Sequence, residues 1–234
     1  MTSQPLAVVI VNRAAQMGGA ARRWPVIEAA LTTRLGAIEP LFTAAPGHAT
    51  ALARAALGRG VRRFVAVGGD GTVNETLNGL LEPSGRLAAP DAVLCPIPAG
   101  TANELCRALG YLRDPVRAFD AAAGRATRTI DLMRVRCTGL DGRPVDRFDY
   151  LDDGVLDLIE MRDVSRLGVL LGVMPKLYSG GHLSHPKVRT SRGASFRFDS
   201  DVETLVDVDG EMAGRLPLEV SVLPAAFSVG IPDR

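Results

Sequence analysis

Two short segments of this 234-residue chain combine residue types that handle phosphate. The first is Gly68-Gly69-Asp70-Gly71-Thr72-Val73-Asn74-Glu75, directly after Arg63 to Val67, apolar from Phe64 onward. Glycines at the end of a buried strand let the backbone take positive φ and approach a ligand closely. The helix that follows turns its N-terminal amides and its dipole toward the same spot. Asp70 is a carboxylate where anions are otherwise attracted. It makes sense if Mg²⁺ lies between it and a phosphate, or if it meets a hydroxyl. The same residues also read as a tight turn with Thr72 as helix N-cap. The second segment, Pro98-Ala99-Gly100-Thr101-Ala102-Asn103-Glu104, repeats the arrangement after the next apolar run. Again Gly precedes Thr, and again an Asn-Glu pair opens the helix. Two matched elements make coincidental capping a poor explanation. Neither is a Walker A loop, since no Gly-Lys-Ser/Thr follows, and neither is the dinucleotide G-x-G-x-x-G pattern.

The elements that position these loops alternate. Leu6 to Val11 is a continuous apolar run, expected of a strand buried on both faces. Ala20 to Leu35 places Trp24, Ile27, Leu31 and Leu35 at helical spacing, with Trp24 a core residue. Strands are expected over Ala37 to Phe42, Arg63 to Val67 and Ala92 to Ile97. Helices are expected over Ala49 to Leu57, Val73 to Leu81, Ala102 to Leu109 and Pro115 to Ala123. This rhythm predicts an α/β fold with a doubly wound, mostly parallel sheet, whose ligands sit beyond the carboxyl ends of the strands.

From about Thr127 the texture becomes β-rich. Arg128 to Cys137 alternates like a strand, and Asp-Gly turn signals follow at Asp141, Asp153 and Asp209. Val155 to Met161, Ser195 to Phe198, Thr204 to Val208 and Leu218 to Val222 read as further strands. Val164 to Leu177 looks helical, weakened by Gly168, Gly172 and Pro175, and its first part packs against the core or touches a membrane surface. The expected division is a nucleotide-binding domain over 1–126 and a smaller β-rich domain over 127–234.

Composition excludes several classes. Apolar residues make up 47%, enough for a core and too many for a disordered chain. The formal net charge is +1, without a basic block, so nucleic acid is not an expected partner. Cys95, Cys106 and Cys137 show neither disulfide nor metal spacing, which fits a reduced, cytoplasmic setting. The N-terminus has no cationic region, and the apolar run Leu167 to Met174 is far too short to span a bilayer. His182 and His185 sit in a glycine-rich segment without a nearby third ligand, and are read as solvated loop.

The run VGGDGTVNETLNGLL (67–81) together with PIPAGTANELCRAL (96–109) resembles the diacylglycerol kinase catalytic domain family, which includes bacterial lipid kinases, sphingosine kinases and ceramide kinases. Further pieces resemble it too: Thr43 with Pro46-Gly47-His48-Ala49, Ile130-Asp131-Leu132, Leu151-Asp152-Asp153-Gly154-Val155-Leu156-Asp157, Val208-Asp209-Gly210-Glu211, and Leu223-Pro224-Ala225-Ala226. The resemblance implies that ATP lies across the strand ends. It would touch Asn12, Thr43, Gly68, Gly69, Asp70, Gly71, Thr72, Asn74, Glu75, Gly100, Thr101 and Asn103, with His48 nearby. Asp70 would organise Mg²⁺ and the phosphates. Glu211 would be the general base for a lipid hydroxyl that attacks the γ-phosphate in line. A structural metal would be held by Asp153 and by the backbone carbonyls of Tyr150 and Val155, so the Tyr150 and Val155 side chains would be unconstrained. Taken without the resemblance, Asp153 and Glu211 read equally well as residues of ordinary Asp-Gly hairpins. The implied substrate is a diacylglycerol-, phosphatidylglycerol- or sphingoid-type lipid, met by a cytoplasmic protein at the membrane surface.

Two departures from the family pattern stand out. The first strand should lead into an Asn-Pro-x-Ser-Gly-like loop, and here reads Asn12-Arg13-Ala14-Ala15-Gln16-Met17-Gly18-Gly19. Between Cys137 and Leu151 the family has several dozen more residues, where this chain has only the polar stretch Thr138 to Tyr150. That gap is open to three readings: an open cleft, a homodimer interface, or a broken fold. Two other functions therefore stand beside lipid phosphorylation. One is a non-catalytic nucleotide- or lipid-binding remnant. The other is an NAD kinase-like enzyme, because GGDGT resembles that superfamily as well.

Overall fold

The computed structural model describes residues 7–151, 153–161, 175, 180–208 and 211–233. The side chains of Gln16, Met17, Leu151, His182 and Glu211 are outside that description. Leu6, the apolar segment Val164 to Leu177 apart from Pro175, and the Asp209-Gly210 turn also fall outside the described residues. The chain forms two compact units. One comprises Met1–Arg134, Asp146–Asp152 and Leu223–Arg234; the other comprises Val135–Val145 and Asp153–Val222.

The first unit is α/β. Its elements run β1 (Ala7–Val11), α1 (Ala15–Leu35), β2 (Ile38–Phe42), α2 (His48–Gly58), β3 (Arg63–Gly68), α3 (Asp70–Leu80), β4 (Val93–Pro98), α4 (Glu104–Ala108) and α5 (Val116–Ala123). Strands β2, β1, β3 and β4 lie side by side in that order, all parallel. Parts of β5 (Thr127–Thr138), β6 (Pro144–Leu151) and β11 (Glu211–Gly230) extend the sheet within this unit, and Ser228 and Val229 pair parallel with Val93 and Leu94.

Alternation divides each central strand between two cores. Val8, Ile10, Phe64 and Ala66 join one buried cluster with Leu77 and Leu80 of α3. Val9, Val11, Val65 and Val67 join the other with Trp24, Ile27 and Leu31 of α1. A strand buried on both faces has no polar side, which is why β1 and β3 are written as unbroken apolar runs. Helices α2 and α3 pack closely because Gly79 has no side chain: a Cβ there would lie 2.5 Å from the Thr50 carbonyl oxygen and 2.6 Å from the Ala53 Cβ.

Two helices start elsewhere than their apolar stripes suggest. α3 begins at Asp70, capped by Gly69, whose carbonyl accepts the Thr72 and Val73 N–H groups. Thr72 is therefore inside the first turn and is not the cap. α4 starts only at Glu104, because Asn103 takes a left-handed conformation (φ 50°) that a continuing helix would not allow.

The second unit is β-rich. β7 (Leu156–Met161) pairs antiparallel with β8 (Val188–Gly193). β9 (Ser195–Phe198) and β10 (Leu205–Val208) each pair antiparallel with β11. Strand β6 forms at the end of the polar stretch Thr138 to Tyr150, and β8 has no counterpart among the strands expected from the sequence. Among the described residues, no helix is long and apolar enough to cross a membrane.

Candidate active site

The parallel strands end in one register row. Phe42 is level with Val11, Val11 with Val67, and Val67 with Ile97. Beyond that row Thr43 and Asn12 open loops at once, while Gly68 and Pro98 pair as the last residues of β3 and β4 before theirs. Backbone bonds tie the first residue after β2, β1 and β4 to a neighbouring strand: Thr43 N–H donates to the Val11 carbonyl, Asn12 N–H to Val67, and Ala99 N–H to Gly68. The candidate site is thus built at the carboxyl edge of the sheet, where crossover helices leave ligand space.

The two glycine loops meet backbone to backbone. A Cβ at Gly100 would overlap the Cα of Gly69 and lie 2.9 Å from its nitrogen. Only glycine permits this contact. The Gly100 loop is closed by its own Asn103, whose Oδ1 accepts the Gly100 N–H (2.9 Å) and whose Nδ2 donates to the Gly100 carbonyl (2.7 Å). Asn103 is buried. On the other side, Asn12 Nδ2 donates to Thr72 Oγ1 (3.1 Å), linking the β1 loop to the first turn of α3.

Asp70 joins these pieces. Its Oδ1 accepts the Glu104 N–H at 2.6 Å and the Tyr150 hydroxyl at 2.8 Å. Tyr150 Oη in turn accepts the Leu105 N–H (3.2 Å). One carboxylate oxygen thereby fixes the start of α4 and the end of β6. Burial and the Asp70 hydrogen bond push the Tyr150 phenol well above its usual range, so it stays a neutral donor. Burial, aided by the Asp70 charge, pushes the Cys106 thiol up to about 12, so it is inert as a nucleophile.

The remaining sequence-derived residues have these places. Glu75 faces α2, its Oε2 accepting the Ala49 N–H (3.1 Å) and its carbonyl accepting the Thr50 hydroxyl (2.8 Å). Asn74 lies on the same helix turn, and Asn78 Nδ2 donates to its carbonyl (2.8 Å). Gly71 and Thr101 are exposed, Thr43 is half-buried, and His48 Nδ1 accepts the Ala44 N–H (3.0 Å). Glu211 opens β11 opposite Val208 by its backbone register. The Tyr150 side chain, expected to be unconstrained, is instead a partner of Asp70. The period-two pair Phe148 and Tyr150 after the Asp141-Gly142 turn was the signal for it.

The fit for metals differs between the two carboxylates. Asp70 Oδ2 accepts no hydrogen bond from the described residues, while Oδ1 is filled. A Mg²⁺ that takes one carboxylate, phosphates and waters needs no more protein than this. Asp153 fits a cation poorly. Its Oδ2 pairs with Arg192 at 3.2 Å, and its Oδ1 accepts the Val155 N–H at 3.3 Å. Among the described residues, no group of three His, Cys, Asp or Glu side chains converges on a metal position.

Comparison with known proteins places this geometry. The chain is 26% identical to a diacylglycerol kinase of Staphylococcus haemolyticus over 258 positions, covering 80% of this chain and 76% of that protein. Since 80% of 234 is about 187 residues, roughly 70 of those positions have no counterpart here. It is 38% identical to a diacylglycerol kinase of Bacillus subtilis over 94 residues, covering 40% of this chain and 29% of that one. The crystal structure of a diacylglycerol kinase from Bacillus anthracis has the same fold, with a TM-score of 0.69 over 99% of this chain and 98% of that one, at 22% identity. Residues 142–231 match the YegS C-terminal NAD kinase beta sandwich-like domain. Residues 6–135, more than half the chain, match the diacylglycerol kinase catalytic domain, and the chain belongs to that family of lipid kinases.

Proposed function

We propose that this protein transfers the γ-phosphate of ATP to a hydroxyl of a diacylglycerol-, phosphatidylglycerol- or sphingoid-type lipid. The observation that carries the reading is the backbone contact of the Gly69 and Gly100 loops beside an Asp70 whose second carboxylate oxygen accepts no hydrogen bond from the described residues. The first unit (1–134, 146–152 and 223–234) then serves as the nucleotide domain and the second (135–145 and 153–222) as the lipid domain, in place of the expected division at 126/127. The protein works in the cytoplasm, peripheral to the membrane that holds its substrate.

In this reading the chain's own groups divide the work. Gly68, Gly69 and Gly71 bring backbone N–H groups against the phosphates, and the N-terminus of α3 adds its dipole. Asn12, Thr43, Thr72, Asn74, Glu75, Thr101 and Asn103 shape the nucleotide site, with Asn103 holding the Gly100 loop closed. Asp70 Oδ2 would hold Mg²⁺, which supplies charge neutralisation of the phosphates when bound. Glu211 accepts the proton of the lipid hydroxyl as that oxygen attacks in line. The O–P bond to the lipid forms as the bond to the ADP leaving group breaks. No step is assigned to a metal at Asp153.

The test is transfer of label from γ-labelled ATP to a mixed lipid extract, with Glu211→Gln in parallel. Labelled lipid from the wild type, reduced at least 100-fold in the variant, is the expected result. ATP binding without any labelled lipid would leave a nucleotide-binding remnant instead. Formation of NADP from NAD would move the chain to the NAD kinase reading.

A further inference from the structure

The loop after β1 lacks the family's Pro and Ser, and the structure shows what stands there. The Arg13 guanidinium carbon lies 3.6 Å from the centroid of the Phe42 ring, stacked on its face. Phe42 is braced in turn, edge-on to Trp24, at 5.7 Å between centroids and 87° between planes. Trp24 is buried in the second core cluster. Arg13 is exposed, yet held against a platform anchored in the core.

Three further observations say what Arg13 is for. It follows Asn12 directly, and Phe42 directly precedes Thr43, so the stacked pair borders the register row where the site's loops begin. It forms no ion pair among the described residues, so its charge is not already held by a carboxylate. The charged side chains on the β3 and β4 loops and the first turns of α3 and α4 are Asp70 and Glu104, with Arg107 turned to the Ala102 carbonyl, and Glu75 follows one turn along α3. A polyphosphate at this edge is stabilised by a protein cation in addition to Mg²⁺, and Arg13 borders that edge.

We infer that Arg13 is a phosphate-binding residue of the nucleotide site, pre-positioned by Phe42 in a loop that lacks the family's Pro and Ser. The inference rests on the nucleotide reading given above. Stacking on the ring leaves the guanidinium N–H groups at its edge available to phosphate oxygens, and it removes rotamer freedom that an unsupported arginine would lose on binding. A lysine would keep the charge but lose the planar fork.

The experiment is calorimetric titration of the full chain with ATP, ADP and adenosine in the presence of magnesium, for wild type, Arg13→Ala, Arg13→Lys and Phe42→Leu. Expected is a 10- to 100-fold weaker ATP affinity in Arg13→Ala, a smaller loss for ADP, and no change for adenosine. Arg13→Lys and Phe42→Leu should fall between wild type and Arg13→Ala. ATP affinity within twofold of wild type in Arg13→Ala overturns the assignment while leaving the nucleotide reading intact. Equal losses for ATP and adenosine overturn it as well, by assigning Arg13 to the base. A wild type that binds no nucleotide overturns both.

Discussion

In the first unit, each central strand sends alternate side chains into two separate cores: Val8 and Ile10 into one, Val9 and Val11 into the other. In the second unit, the buried cluster among the described residues is Cys137, Val206 and Ala213, with a rim of partly buried neighbours. Its strands carry charges in exposed cross-strand pairs, such as Arg136 with Glu219 and Arg192 with Asp157. The difference matches what each region has to hold. Loops that bring Gly69 and Gly100 into backbone contact need a base that cannot breathe, and a sheet clamped on both faces provides it. A ladder covered thinly can shift its surface residues at little cost.

That contrast is broken first by core truncation. Leu77→Ala removes a fully buried side chain from the larger cluster and should cost about 2–5 kcal/mol. Val206→Ala in the smaller cluster should cost about 1–2 kcal/mol. Urea unfolding of both variants measures the pair, and equal losses would mean that the two units are equally well packed.

Gly100→Ala comes next. The new Cβ would collide with the Gly69 backbone, which has no flexible end to move aside. We expect about 1–3 kcal/mol of lost stability together with loss of ATP binding. Normal ATP affinity in a folded Gly100→Ala protein would show that the loops need not touch.

Tyr150→Phe tests the Asp70 junction at finer scale. It deletes one donor to Asp70 Oδ1 and leaves the Leu105 N–H without its acceptor. The expected cost is about 1–2 kcal/mol, with a higher magnesium concentration needed for half-maximal turnover. A magnesium dependence identical to wild type would make Tyr150 a packing residue only.

The smallest effect belongs to the second unit's surface. Arg136→Ala breaks a half-exposed ion pair with Glu219 and should cost less than about 1 kcal/mol by thermal unfolding. A larger loss would mean that these pairs, rather than burial, hold the unit together.

Much of the first unit is legible in the sequence because its signals are local. Unbroken apolar runs mark β1 and, from Phe64, β3, and glycines mark where β3 ends. What the sequence hides depends on residues far apart in the chain. Tyr150 sits in a strand whose neighbours Asp146, Arg147 and Asp149 read as loop, and Asp146 is tolerated there because Arg134 pairs with it. Arg13 looks like a surface residue until the fold brings Phe42 beneath it. β11 reads as separate pieces because Gly214, Pro217 and Pro224 interrupt it, yet it runs as one strand by changing partners from β10 and β9 to β4. Short α4 follows from the left-handed Asn103, a conformation that helical periodicity does not reveal.

The central claim is that nucleotide is held by the loops of the first unit. Hydrogen–deuterium exchange with and without saturating ATP and magnesium tests it directly. The account predicts slower exchange in peptides covering 12–15, 68–75 and 98–105, with 188–208 and 211–222 unchanged. Protection confined to the second unit, or none at saturating nucleotide, would contradict it.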